Sequence, residues 1–138
     1  MRRGSRPRKW VGGRTFIGVD STNHTVLMSG KEENVGMKAS DLLLVALATC
    51  SSFDVVGILE KQKIKLSKLE VEVSAENEPD PPWTFTHFHL KYILAGKGLE
   101  GKHAENAIRL SEEKYCSVAA TVKGKATISW EYVIEQLE

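Results

Sequence analysis

A run of apolar residues near the middle of the chain constrains the fold most strongly. Between residues 42 and 64, apolar side chains occupy almost every face of a helix, and Ser40 or Asp41 can cap its start. A helix that is apolar on all sides has to be buried. The segment therefore predicts a central helix, whose last turns reach water at Glu60 and Lys61.

The segments around this helix alternate in the manner of β-strands. Before it, residues 10–19 and 25–28 flank the turn-forming run DSTNH, which predicts an opening hairpin. After it, residues 69–76 and 84–94 alternate with a period of two, which predicts an antiparallel pair.

The C-terminal third predicts two more helices and a strand. An amphipathic helix is expected over residues 102–114, then a short helix over 118–122 that Ser117 can cap, and a final strand over 126–134. Together the elements predict an α+β fold, with antiparallel sheets wrapped around the long buried helix.

Length and charge bound the class of protein. With 138 residues the chain fits one domain, which we expect to cover residues 9–138. Basic residues crowd residues 1–8, which we interpret as a flexible tail without a function of its own. The net charge of +1 gives no reason to expect nucleic acid as a partner.

The sequence also predicts a cytoplasmic protein. No uninterrupted apolar stretch reaches the roughly 18–20 residues of a membrane span, and the basic start is not followed by the apolar core of a signal peptide. We therefore expect no membrane partner. In a reducing compartment two cysteines are seldom a structural disulfide, so they are either buried inert thiols or a redox pair.

The two cysteines stand in different surroundings. Cys50 lies inside the apolar helix, where a free thiol is usually inert, yet Thr49, Ser51 and Ser52 form a small polar cluster around it. Cys116 falls at a junction between helices, where free backbone N–H groups can stabilise a thiolate. The residues alone leave both interpretations open, because 66 residues separate the cysteines.

Three segments resemble one family. The run ASDLLLVALATC ending at Cys50 resembles the signature of the OsmC/Ohr family, and EKYCSV around Cys116 is similar to its second-cysteine motif. The run CSSFDVV, which starts at Cys50, resembles the YhfA-like branch of that family. The likeness spans nearly the whole chain from Lys9 onward.

The resemblance implies an intertwined homodimer that reduces organic hydroperoxides or hydrogen peroxide. Cys50 would be the thiolate that attacks the peroxide, and Cys116 would resolve the product as a disulfide. An external dithiol would restore the pair, and no bound cofactor is implied.

The family also pairs its reactive cysteine with an arginine and a glutamate. The segment GGR places Arg14 at the arginine position, whereas the glutamate position is occupied by Ser40, with Asp41 beside it. Arg14 is the candidate to pair with the thiolate, and a surface arginine on a strand is the alternative role. Asp41 is the candidate to hold Arg14, although a favourable charge in the first helical turn is the alternative role.

The altered glutamate position favours a second interpretation. A non-catalytic protein that binds a small molecule would keep the fold and lose peroxidase competence. No metal site is expected, because His87 and His89, which share one face of a predicted strand, lack a nearby third ligand.

Overall fold

The computed structural model describes residues 6–136 of the chain. These residues group into two compact units, one within Met1–Leu43 and the other within Leu44–Glu138. The predicted tail falls largely outside the described residues, and residues 6–8 already belong to the first strand. The single-domain organisation stays a prediction.

The first unit contains a three-stranded antiparallel sheet of β1 (Arg6–Gly12), β2 (Thr15–Val19) and β3 (Thr25–Ser29). The predicted hairpin of β2 and β3 is confirmed, but the segment expected as one strand over residues 10–19 is two. Gly12 and Gly13 have φ angles of 114° and 51°, which glycine adopts without strain, and they turn β1 back along β2.

The long helix α1 spans Ala39–Lys61 and crosses the boundary between the two units. Its 18-residue window reaches a mean hydropathy of 2.2, so it is long and apolar enough to cross a membrane, although the sequence pattern predicted no such segment. The small polar residues around Cys50 interrupt the apolar run but hardly lower its average. Only 28% of that window is buried in the single chain, so one chain does not cover the helix by itself.

The second unit contains a mixed sheet of β4 (Lys65–Asn77), β5 (Phe85–Lys97) and β6 (Thr127–Ile134). The pair β4 and β5 is antiparallel, as predicted, whereas β6 runs parallel to β5. A parallel neighbour needs a long crossover connection, and the helical residues between β5 and β6 supply it. The α+β class is confirmed, and the all-antiparallel arrangement is not.

The core of the second unit follows the alternation of β5. The inward-facing side chains are all 2% exposed or less: Phe88, Leu90, Tyr92 and Leu94. Buried residues of α1, such as Val55 and Leu59, are 0% exposed. The buried face of β5 also contacts the polar segment of α1 around Cys50, because Tyr92 is hydrogen-bonded to Ser51.

The crossover consists of α2 (Gly101–Leu110), a π-helical segment (Ser111–Tyr115) and α3 (Ser117–Val122). The single amphipathic helix expected over residues 102–114 therefore changes to π-helical geometry at Ser111. Cys116 itself, rather than Ser117, caps α3, because its Sγ accepts a hydrogen bond from Ala119 N–H at 3.3 Å.

The buried face of β5 predicts a large difference between two leucine substitutions. Leu94→Ala should lower the free energy of unfolding by about 2–5 kcal/mol, because Leu94 is 0% exposed and its removal leaves a cavity. Leu27→Ala, the control on β3, should cost less because Leu27 is 45% exposed. Urea denaturation of both variants measures the difference, and equal losses would contradict the assignment of the core.

Candidate active site

The structure brings the two cysteines together within the second unit. One ligand atom from each of Cys50, Asp54 and Cys116 lies within 4.8 Å of the other two. Both cysteines are free thiols, Cys50 half-buried and Cys116 buried. Tertiary folding therefore brings together two cysteines that are 66 residues apart in the sequence. A disulfide would require the two sulfur atoms to approach to about 2.05 Å.

Cys116 occupies the less polar environment of the two. Burial, and next to it the hydrogen bond with Cys50, raise the pKa of its thiol to about 11. The backbone N–H of Ala119 acts in the opposite direction, since a donor favours the thiolate, but it does not outweigh burial. Backbone N–H groups do favour the Cys116 thiolate, as expected, but burial has the larger effect on the pKa. Cys116 is therefore a thiol at neutral pH.

A buried chain of hydroxyl groups runs beside the cysteines. The Tyr92 hydroxyl of β5 is hydrogen-bonded to Ser51 of α1, and Ser51 Oγ lies 3.2 Å from Ser111 Oγ in the π-helical segment. Ser111 Oγ also donates to Asp54 Oδ2 at 2.8 Å. Because a carboxylate can only accept, the chain ends at Asp54 and orients that carboxylate toward the two sulfur atoms.

Asp54 is the site residue that the sequence reasoning missed. Asp54 belongs to the motif CSSFDVV, and its position four residues after Cys50 is the signal that could have identified it. Residues four apart lie on the same helical face, so a helix that presents Cys50 to a site presents Asp54 as well.

A small cavity lies next to Cys116. Its volume is about 10 Å³, which is close to the minimum for one water molecule. Ser51, Tyr92, Glu112 and Cys116 line it together with apolar residues of the sheet. Glu112 is also paired with Lys123, whose Nζ lies 2.7 Å from Glu112 Oε1.

The predicted residues Arg14 and Asp41 lie in the first unit. The Arg14 backbone N–H donates to Glu33 Oε1 at 3.1 Å, and Asp41 forms an ion pair with Lys38 at 3.5 Å. Arg14 lines an open cavity of about 1110 Å³ within this unit. The pairing of Arg14 with Cys50, and of Asp41 with Arg14, stays a prediction.

The two strand histidines contact hydroxyl groups of the neighbouring strand. His87 Nδ1 lies 2.6 Å from Thr127 Oγ1, and His87 Nε2 and His89 Nδ1 lie 2.8 Å and 2.7 Å from Ser129 Oγ. His89 Nε2 is also 3.3 Å from Glu131. The rings share one face, as predicted, and have polar partners on β6.

A mixed α+β fold with two close thiols defines the class of protein, and comparisons identify the family. A family model described as OsmC-like protein matches residues 30–131. The chain is 35% identical over 126 residues to Protein YhfA of Escherichia coli K12. The matched region covers 91% of this chain and 94% of the relative. The chain belongs to the OsmC-like family, and its resemblance to the YhfA-like branch is confirmed.

Solved structures share the same fold. A hypothetical protein from Aquifex aeolicus superposes with a TM-score of 0.88 at 27% identity, covering 100% of this chain and 99% of that one. The organic hydroperoxide resistance protein OhrB of Bacillus subtilis superposes with a TM-score of 0.61 at 15% identity, covering 96% of both chains. The second likeness shows the fold alone.

The hydroxyl chain predicts unequal effects of two Tyr→Phe substitutions. Tyr92→Phe should lower the free energy of unfolding by about 1–3 kcal/mol, because it removes the partner of the buried Ser51 hydroxyl. Tyr132→Phe, the control, removes an exposed hydrogen bond to Glu105 and should change stability by less than about 0.5 kcal/mol. Urea denaturation tests this pair. Equal stability of the two variants would show that the Tyr92 hydroxyl is not held as described.

Proposed function

We propose that this protein is a cysteine-based hydroperoxide reductase that uses Cys50 and Cys116 as its redox pair. The proximity of the two thiols is the observation that carries the proposal, because all the site atoms lie within 4.8 Å of one another. Family membership supports it, since organic hydroperoxide resistance proteins share the fold. The substrate is an organic hydroperoxide or hydrogen peroxide.

The reaction proceeds in three balanced steps. The Cys50 thiolate attacks one peroxide oxygen, the O–O bond breaks, and the protonated leaving oxygen departs as an alcohol or water. The Cys116 thiol then attacks the Cys50 sulfenic acid, which forms the disulfide and releases water. An external dithiol reduces the disulfide and is itself oxidised to a disulfide.

The different burial of the two thiols supports this division of roles. Cys50 is half-buried, whereas Cys116 is 2% exposed, so only Cys50 is accessible to a substrate. The raised pKa of Cys116 also makes it a poor first nucleophile, because the thiolate is the reactive form. The small cavity beside Cys116 is too narrow for an organic hydroperoxide, so the substrate approaches Cys50 from its exposed side.

Activation of Cys50 requires a positive charge near its sulfur. Cys50 lies in the middle of α1, where the helix dipole contributes little, and Asp54 adds a negative charge on the same face. We assign the positive charge to Arg14, with Asp41 as the residue that orients it. This assignment follows the family arrangement.

The redox pair predicts opposite outcomes for the two cysteine variants. On addition of one equivalent of cumene hydroperoxide, the reduced protein should lose two hydrogen atoms and both thiols, as intact mass and thiol titration measure. Cys116→Ser should instead gain oxygen at Cys50, and Cys50→Ser should react at least about tenfold more slowly, because the accessible nucleophile is gone.

The unfolded chain in urea is the matched control for these reactions. It contains the same thiols without the site, so folded protein should oxidise faster than unfolded protein. Equal rates, or an unchanged rate in Cys50→Ser, would overturn the assignment of Cys50 as the attacking thiol.

We also propose that the protein is a homodimer. Three apolar side chains on α1 are exposed in the single chain: Val45 by 41%, Phe53 by 81% and Val56 by 38%. With 3.6 residues per turn they fall within about 80° around the helix, so they form one continuous stripe. A second copy of the chain would cover this stripe and remove its contact with water.

The exposed stripe predicts that one charged substitution dissociates the dimer. Phe53→Glu should yield a monomer, because burial of each phenylalanine contributes about 1.5–3 kcal/mol and a symmetric interface contains two. Lys61→Glu, at the polar end of α1, introduces the same side chain and should remain dimeric. Sedimentation equilibrium measures both, and a monomeric wild type would contradict the proposal.

The large cavity of the first unit favours a second candidate function, the binding of a small molecule without catalysis. Its volume of about 1110 Å³ exceeds that of a typical small ligand, and apolar side chains such as Phe16, Val26 and Met28 line it together with Arg14. Free thiols after peroxide treatment would give this candidate precedence. In either case we place the protein in the cytoplasm, where a dithiol reductant is available.

A further inference from the structure

We propose that Cys50, Asp54 and Cys116 form a binding site for one Zn²⁺ ion. The site uses the two thiols of the proposed peroxidase but does not depend on peroxide reduction, because metal binding needs no oxidant. It adds a ligand class that the peroxidase mechanism does not include.

The donor set suits zinc. Cysteine thiolates and a carboxylate oxygen are among the ligands that Zn²⁺ prefers, and three protein ligands leave a fourth tetrahedral position for water. In a tetrahedral site with ordinary Zn–S and Zn–O bonds, neighbouring ligand atoms are about 3.5–3.8 Å apart. The three candidate atoms lie within 4.8 Å of one another, so side-chain adjustments of about 1 Å bring them to that spacing.

The backbone holds the three ligands in a fixed arrangement. Cys50 and Asp54 are four residues apart on α1, the spacing at which two side chains on one helical face meet a common ion. Cys116 is the residue between the π-helical segment and α3, and it caps the start of α3. Two of the ligands thus belong to α1, and the third is held by its hydrogen bond from Ala119 N–H.

A buried second shell supports the carboxylate. Ser111, which is 0% exposed, donates to Asp54 Oδ2 at 2.8 Å and leaves the other carboxylate oxygen for a ligand. Ser51 and Tyr92 continue this chain in the interior. Hydrogen bonds of this kind orient metal-binding carboxylates and contribute to metal affinity.

The Asp54 carboxylate supplies a negative charge within the site, which favours a cation. Glu112 lines the small cavity beside Cys116, and Lys123 balances its charge. Lys123, the cation paired with Glu112, is already engaged by that carboxylate and by the Glu112 carbonyl oxygen at 2.6 Å. Binding of Zn²⁺ releases the two thiol protons to solvent, so two thiolates and one carboxylate face two positive charges.

Metal binding has a direct consequence for the thiols. Both sulfur atoms become ligands, so neither is free to attack a peroxide or to form the disulfide. Oxidation to the disulfide in turn removes two of the three ligands. Zinc occupancy and peroxide reduction are therefore mutually exclusive states of one site.

The test is a zinc titration of the fully reduced protein in competition with a chromophoric chelator. We expect one Zn²⁺ per chain. Cys116→Ser and Asp54→Asn should each weaken binding by at least about tenfold, and Ser111→Ala by about 10–100-fold through loss of the second shell. Glu60→Gln removes one exposed negative charge from the same helix and should change the affinity less than about twofold.

Cobalt provides a second measurement on the unmodified chain, which remains decisive if a variant fails to fold. Reduced wild-type protein with one equivalent of Co²⁺ should show tetrahedral visible bands and a sulfur-to-cobalt charge-transfer band. The charge-transfer intensity should correspond to two thiolates. Absence of these bands, or one metal ion shared by two chains, would overturn the proposal, as would equal zinc affinity of Asp54→Asn and Glu60→Gln.

The zinc experiment and the peroxide experiment test the two proposals separately, so either proposal can be refuted while the other stands. A protein that binds zinc but keeps free thiols after peroxide treatment retains the metal site and loses the proposed peroxidase. A protein that forms the disulfide yet binds no metal retains the peroxidase and refutes the zinc site.

Discussion

The candidate site depends on the buried hydroxyl chain that joins α1 to β5 and to the π-helical segment. Ser51, Tyr92 and Ser111 are between 0% and 4% exposed, so their polar groups need partners inside the protein. The rotation of α1 about its axis brings Ser51 to these partners, Tyr92 and Ser111. That rotation directs Cys50 and Asp54 toward Cys116, which means that hydrogen-bond satisfaction in the core determines the geometry of the thiols.

This geometry favours the protonated form of Cys116, whereas the thiolate is the reactive form of a cysteine. The Asp54 carboxylate lies within 4.8 Å of both sulfur atoms, and a like charge disfavours a thiolate. Burial of Cys116 works in the same direction and raises its pKa to about 11. The site therefore keeps Cys116 protonated, and a nearby guanidinium or a bound metal ion would supply a charge that favours its thiolate.

Hydrophobic periodicity made much of the fold predictable. The alternation over residues 69–76 and 84–94 predicted the antiparallel pair of β4 and β5, and the polar run after β2 predicted the hairpin, because both signals arise from local geometry. The turn at Gly12 and Gly13 was missed because the apolar pattern runs through it. The parallel direction of β6 was also missed, since a period of two does not distinguish parallel from antiparallel neighbours.

The site was predictable only in part, for a related reason. The family motifs identified Cys50 and Cys116, and the sequence could not bring them together, because their contact depends on the π-helical turn at Ser111 and on the crossover that precedes β6. Asp54 was overlooked because an aspartate on a helix usually faces solvent. Only the hydroxyl from another element, Ser111, distinguishes it from such a residue.

The exposed side of α1 connects the assembly to the chemistry. Phe53 is three residues after Cys50 and therefore adjacent to it on the helix surface, and it is 81% exposed in the single chain. A partner that covers Phe53 would narrow the approach to the half-buried Cys50 and exclude bulk water from it. Lower local polarity strengthens every charge interaction of the thiol pair, so the attraction of a cation and the repulsion by Asp54 would both increase on dimerisation. A positive charge that activates Cys50 would therefore act most strongly in the dimer, where the surroundings of the thiol are least polar.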